Sequence, residues 1–350
     1  MVQSHINPIL NKPTPFYIFR YLSYEVVILV KIGVIGAGKW GVNHIRSLSK
    51  LDCGLVGLAD PDPKKEDLAK EHNIKFFKDY KKMLPLVDAV TIVVPTDLHY
   101  DVVKDCLENG KHVLVEKPIT LVSERAKELV ELARSKNLIL SVGYLFRFNN
   151  SVKRLKELMK DVGKVQYING RYIHSSKPPR KDSGAIINLS LHLIDVLNFI
   201  LEKRAEKIYC KKKNLLSEKF EDSAIMILDY GDFTANLEVS CCHPLKKRDM
   251  WIIAEKEKIY IDFFEQEITR YPLVVSYENI ERKDEIKENI ENNEPLKDEL
   301  KHFCEVVAKA KSSNEPMKDE LNIGKEEYYT TRICELALKS AEEGKELEIR

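Results

Sequence analysis

Between Lys31 and about Leu140 the chain alternates short, continuously apolar runs with stretches whose apolar residues recur every three or four positions. The runs are KIGVIG, GLVGLAD, AVTIVV, HVLVE and LILSVGY; the stretches are NHIRSLSKL, PKKEDLAKEH, LHYDVVKDCLENG and SERAKELVELARSKN. Strands with no polar face, alternating with amphipathic helices, predict a parallel sheet covered on both sides. Gly110 and the Asn137 region supply helix stops. After Arg147 the period changes to two. KVQYINGRYIH, EKIYCKKK, SAIMILDY, FTANLEVSCC, MWIIAEKEKIYIDFF and EITRY predict an antiparallel sheet with one buried face. Helical spacing interrupts it near Ser151 to Lys160 and Leu191 to Glu202, and returns from PLKDELKHFCEVVAKAK to RICELALKSAEEGK. NIERKDEIKENIENNE reads as a charge-rich mobile connector.

The expected fold is therefore α/β. A doubly wound parallel-sheet (Rossmann) domain occupies 30–147, and an α+β domain with a mainly antiparallel open sheet occupies 148–350. Residues 1–29 fall outside both patterns. They have no basic segment followed by an apolar core, and VVILV is far short of the roughly 20 residues of a membrane helix. The expectation is that the native protein starts at Val30, from a non-ATG codon; an intact mass that includes Met1 would refute it.

Charge and cysteine usage narrow the class. Lys+Arg of 56 against Asp+Glu of 55 leaves +1, so no whole-chain positive excess points to nucleic acid or a membrane surface. The seven cysteines contain no CxxC pair, which favours reduced thiols in a cytoplasmic protein over a metal framework. Cys241 and Cys242 point to opposite faces of a strand and suit no joint metal role.

Three stretches carry candidate chemistry. In KIGVIGAGKWG, Gly36, Gly38 and Gly41 form GxGxxG between a strand and a helix, with Lys39 and Trp40 inside it. The glycines allow a tight turn, backbone approach to a pyrophosphate and close helix packing, and phosphate would lie on the helix's free N–H groups. Asp60 ends the next strand, where a carboxylate binds a ribose hydroxyl. PDPKKED offers no arginine for a 2′-phosphate, so NAD is favoured over NADP, with Lys64 and Lys65 arguing the other way. VVPTDLH then brings Pro95, Thr96 and His99 to the nicotinamide side, because ligands bind beyond the carboxyl ends of parallel strands. For His99 the competing reading is a residue that caps or packs.

The second stretch, VLVEKP, delivers Glu116 and Lys117 to the same crevice. A lysine beside a nicotinamide cation and partly desolvated can take up a substrate proton as hydride leaves. A cis bond before Pro118 is open. The third, PPRKDSGAIINLSLHLID, places Asn188 and His192 four residues apart on one helical face, with Asp195 three further on. An imidazole is suited to general-base work at neutral pH.

These motifs in this order resemble the glucose–fructose oxidoreductase and inositol dehydrogenase (Gfo/Idh/MocA) family, from about Lys31 to Arg350. The resemblance rests on GAGKWG with Asp60, PTDLH, EKP, GYLFRFN and the Asn188–His192 segment. It implies catalytic roles for Lys117 and His192, with Asn188 standing where the family usually has an aspartate and left to orient the sugar. The later segments look like the branch that oxidises C3 of nucleotide sugars such as UDP-N-acetylglucosamine, with Arg180 and Lys246, Lys247 and Arg248 near substrate or its phosphates. Tyr144 and Arg147 are expected along the crevice, Arg147 alternatively in a structural carboxylate pair. The resemblance also implies a homodimer or homotetramer joined through the second sheet. Two other readings stay open: a dehydrogenase of a free sugar, inositol or small polyol, and a catalytically silent NAD-binding regulator.

Overall fold

The computed structural model describes residues 29–175, 182–312 and 325–349. The first lobe contains β1 (Lys31–Ile35), α1 (Lys39–Leu48), β2 (Gly54–Ala59), α2 (Glu66–Glu71), β3 (Lys75–Phe77), β4 (Ala89–Ile92), α3 (His99–Glu108), β5 (His112–Val115), α4 (Ser123–Ser135) and β6 (Leu140–Val142). The strands form a wholly parallel sheet in the order β3-β2-β1-β4-β5-β6. Ile32, Val34, Val90, Ile92, Val113 and Leu114 are fully buried, as apolar runs with helices on both faces require. The strand order reverses between β1 and β4, which opens a crevice at their carboxyl ends.

The second lobe runs through α5 (Asn150–Leu158), β7 (Val165–Ser175), α6 (Leu191–Leu201), β8 (Lys207–Lys213), β9 (Ser223–Asp229), β10 (Thr234–Ser240), β11 (Cys242–Ala254), β12 (Lys258–Asp262), β13 (Glu267–Tyr271), β14 (Leu273–Val275), β15 (Ile280–Arg282) and β16 (Ile286–Lys287). It ends with α7 (Pro295–Ser312), α8 (Lys325–Glu343) and β17 (Leu347–Glu348). Nine strands form one sheet, β16-β13-β12-β11-β7-β10-β9-β8-β17, antiparallel except where β7 meets β10. Ile168, Met226, Leu237 and Ile252 line its buried face, while Tyr167, Ile225 and Ile227 stand on the exposed one.

Two expectations need correction. The charge-rich connector is pinned rather than mobile: it contains β15 and β16, and Glu288 pairs with Arg154 (2.8 Å) and Arg270 (3.1 Å). Nor does everything after Arg147 pack as one domain. Leu300, Phe303, Val306 and Val307 of α7 share a core with Ile32, Ile45, Leu48 and Leu114, so this helix covers the first sheet. None of the seven cysteines is in a disulfide. Among the described residues no helix is long and apolar enough to cross a membrane.

Candidate active site

The crevice widens into a cleft of about 1250 Å³ lined by Gly36, Gly38, Lys39, Trp40, Asp60, Pro95 and Glu116. Gly36 has φ +99°, and a Cβ there would lie 2.6 Å from the Val93 carbonyl oxygen. At Gly41 a Cβ would lie 2.1 Å from the Gly36 carbonyl oxygen, so this glycine serves helix packing and does not line the cleft. At Gly38 a Cβ would meet nothing within 4 Å. No side chain caps α1, which leaves its first N–H groups for an anion. The Asp60 carboxylate is fixed by the N–H groups of Ala37 (2.7 Å) and Asp62 (2.9 Å). Asp62 and Asp79 also line this end and, with Asp60, outnumber Lys65 and Lys78 three to two, which suits a ribose bearing free hydroxyls. The open space at Gly38, the uncapped helix and the anchored carboxylate together fit NAD.

The strand ends behave differently from one another. Lys117 precedes Pro118 through a cis bond, is 8% exposed, and its Nζ donates to the Asn188 carbonyl oxygen at 2.9 Å. The ammonium thus reaches across to the second lobe, one turn before His192. Glu116, which lines the cleft, meets Nε2 of His44, on α1, at 3.0 Å. His99, expected on the nicotinamide side, is fully buried: its Nδ1 lies 2.7 Å from the Pro118 carbonyl oxygen and its Nε2 3.0 Å from that of Val94. It bolts the PTDLH turn to the Lys117–Pro118 strand end. Thr96 is also buried, and its N–H donates to Asp182 at 3.1 Å.

On the second lobe a π-helical turn, Ile186–Ser190, leads into α6. Its start is held by Glu221, whose Oε1 accepts the Ile186 N–H at 3.0 Å; a Cβ at Gly184 would fall 2.2 Å from that carboxyl. Burial pushes the Glu221 carboxyl up, against the pull of the Ile186 N–H. Asn188, expected to meet substrate, spends its amide nitrogen on the carbonyls of Ser183 (2.9 Å) and Gly184 (3.0 Å). Its Oδ1 has no hydrogen-bond partner among the described residues. The His192 ring packs between Phe146 (5.2 Å) and Tyr172 (5.6 Å). Arg248 lies over the same Tyr172 at 4.7 Å, with His174 beside that ring at 6.2 Å. Burial first, then Arg248 and Lys246, push the His174 imidazole down. Lys247 turns aside to Asp262 at 3.3 Å.

Tyr144 and Arg147, expected along the crevice, are buried behind it. Arg147 Nε donates to both carboxylate oxygens of Asp195 (3.0 and 3.2 Å), and its guanidinium sits 4.8 Å from the Tyr144 ring. The flanking Phe146 and Phe148 are buried too, so a cation there needs a carboxylate. Arg180 lies outside the described residues. Asp182 and Lys219, which line the cleft from the second lobe, were not among the sequence candidates. Asp182 lies within the PPRKDSGAIINLSLHLID stretch, between its basic residues and Ser183, whereas Lys219 belongs to none of the three stretches.

Residues 30–144 match the Gfo/Idh/MocA family model, described as an oxidoreductase family with an NAD-binding Rossmann fold, and residues 152–260 match a C-terminal domain model of that family. UDP-N-acetylglucosamine 3-dehydrogenase of Acidithiobacillus ferrooxidans is 27% identical over 247 residues, spanning 70% of this chain and 78% of its own. scyllo-Inositol 2-dehydrogenase (NAD(+)) of Bacillus subtilis is 34% identical over 184 residues, 49% of this chain and 54% of its own. The solved structure of the A. ferrooxidans enzyme aligns at a TM-score of 0.80 with 22% identity, over 90% of this chain and 99% of that one. Levoglucosan dehydrogenase in complex with NADH and L-sorbose aligns at 0.79 with 15% identity, over 92% and 99%. At these identities the structural likeness establishes the fold.

Proposed function

Because the chain belongs to the Gfo/Idh/MocA family of NAD-binding oxidoreductases, we propose that it oxidises a secondary hydroxyl of a nucleotide-linked sugar, foremost the C3 hydroxyl of UDP-N-acetylglucosamine. The observation that carries this reading is the basic patch beside His192. Arg248 reaches Tyr172, the ring neighbour of the proposed catalytic histidine, and Lys246 joins Arg248 over the Phe264 ring. Guanidinium groups suit phosphate oxygens, which a free sugar or inositol does not offer.

In this reading Lys117 and His192 converge on the reacting hydroxyl from the two lobes. Lys117, held by the Asn188 carbonyl, donates to the hydroxyl oxygen and orients it; His192, confined by Phe146 and Tyr172, accepts its proton. Bound NAD+ supplies the hydride acceptor. The exposed face of the nine-stranded sheet, with Tyr167, Ile225 and Ile227, supports assembly into a dimer or tetramer, which sedimentation measures.

The test is purified protein with NAD+ and a panel of nucleotide sugars, free sugars and inositols, followed at the NADH absorbance. Turnover with UDP-N-acetylglucosamine, lost on removing the nucleotide, supports the proposal. Turnover with inositol or a free sugar alone moves the substrate, and no NADH from any sugar despite NAD binding leaves a regulator.

A further inference from the structure

Glu299 sits on the apolar stripe of α7, beside Leu300 and one turn before Phe303, and is 0% exposed. Neither carboxyl oxygen has a hydrogen-bond partner among the described residues. Three charged groups on three other elements face it: Glu116 at the end of β5, Arg147 in the turn after β6, and Asp195 on α6. Behind Glu116 stands His44 of α1, whose Nδ1 has no partner among the described residues. On α7 itself His302 follows three residues on, packed against Phe148. The Arg147 cation in this group is engaged by Asp195.

An ionised carboxylate at this place would have two anions beside it and no donor. Such a group keeps its proton, because desolvating a bare charge costs far more than neutralising it. Burial first, then Glu116, push the Glu299 carboxyl well above the usual range; Arg147 opposes and Asp195 adds. The location gives the proton a consequence. The helix that carries Glu299 packs against α1, the helix whose start would hold the pyrophosphate, and against the turn containing Arg147.

We propose that Glu299 is a positioning residue: as an uncharged acid it lets α7 seat against the dinucleotide helix and the strand end bearing Glu116 and Lys117, and loss of its proton unseats them. Its effect on turnover rests on the function proposed above; its effect on NAD binding and stability does not. The folded protein holds a proton that the unfolded chain releases near pH 4.5, so stability drains as pH rises from there through the folded-state value.

The experiment compares the full-length protein with Glu299→Gln and Glu299→Leu, the second leaving no polar atom to be satisfied should the amide disturb folding. Infrared difference spectra at neutral pH should show a protonated-carboxyl band in the wild type that both variants lack. In the wild type the urea midpoint should fall as pH rises from about 4.5 to the folded-state value, and NAD+ affinity should fall above that value by at most about tenfold per pH unit for one proton; both should stay level in the variants. The proposal is overturned if the band is missing from the wild type at neutral pH, or if the variants decline with pH as the wild type does. Should neither variant fold, an infrared titration of the wild type decides: a carboxyl band that persists to alkaline pH and vanishes as NAD+ affinity falls sustains the proposal, and any other course ends it.

Discussion

Arg147→Met separates a structural arginine from a substrate ligand. Arg147 is 5% exposed and Asp195 1%, and the two share hydrogen bonds from Nε to both carboxylate oxygens. Methionine replaces much of the aliphatic stem on the Tyr144 ring but leaves the Asp195 carboxylate buried with its cation gone. Breaking such a pair from one side costs about 3–5 kcal/mol. With a urea slope near ~3 kcal/mol/M, the unfolding midpoint should drop by roughly 1 M or more. Arg147→Met combined with Asp195→Leu removes both charges and should recover most of that loss, since the pair's own desolvation nearly cancels its attraction. Urea unfolding of the wild type, each single variant and the double completes the cycle. A single variant as stable as the wild type, with a raised KM for the sugar, would refute the reasoning and return Arg147 to the crevice.

Lys117→Ala should lower the rate of NADH formation by about 100-fold or more while leaving NAD affinity within a few fold, measured by stopped-flow kinetics and calorimetry. The motif glycines should divide by role. Gly38→Ala meets no atom in the folded protein and should keep the wild-type melting temperature while weakening NAD binding on the order of tenfold. Gly41→Ala collides with the Gly36 carbonyl and should cost about 1–3 kcal/mol of stability before any cofactor is added. Among the cysteines, the hydrogen bond from Cys304 lowers the Cys53 thiol against the effect of burial, whereas burial pushes Cys106 and Cys334 up to about 12. Iodoacetamide at neutral pH should therefore label Cys53 first, read by peptide mass, and Cys304→Ala should slow it.

What the sequence disclosed was governed by short-range rules. Apolar runs and period-two segments announced the two sheets because burial on two faces or one leaves that imprint directly. The glycine motif and Asp60 were legible because a pyrophosphate and a ribose impose a fixed spacing on one strand-turn-helix unit. The Lys117–Pro118 step stood out because such a step at a strand end has little structural reason to exist. The remainder depended on contacts between distant segments. Lys117 meets a backbone carbonyl 71 residues away, which no side-chain pattern encodes. The same is true of Thr96 and Asp182, 86 apart. His99 stands in a motif at a cleft, yet its ring turns inward to two carbonyls. Arg147 carried a partial signal in its two phenylalanine neighbours, and Glu299 a clearer one: a carboxylate on the apolar stripe of an amphipathic helix.

The return of α7 to the first sheet has a bearing on how the protein is made. The ribosome completes every strand of the first lobe long before it reaches Leu300, Phe303 and Val307, the side chains that close one face of that lobe. Until they emerge, Ile32, Ile45 and Leu48 lack the α7 side chains that share their core, and exposed apolar surface of that kind makes a folding intermediate prone to aggregate. A fragment cut at Arg147 would lack those α7 side chains altogether.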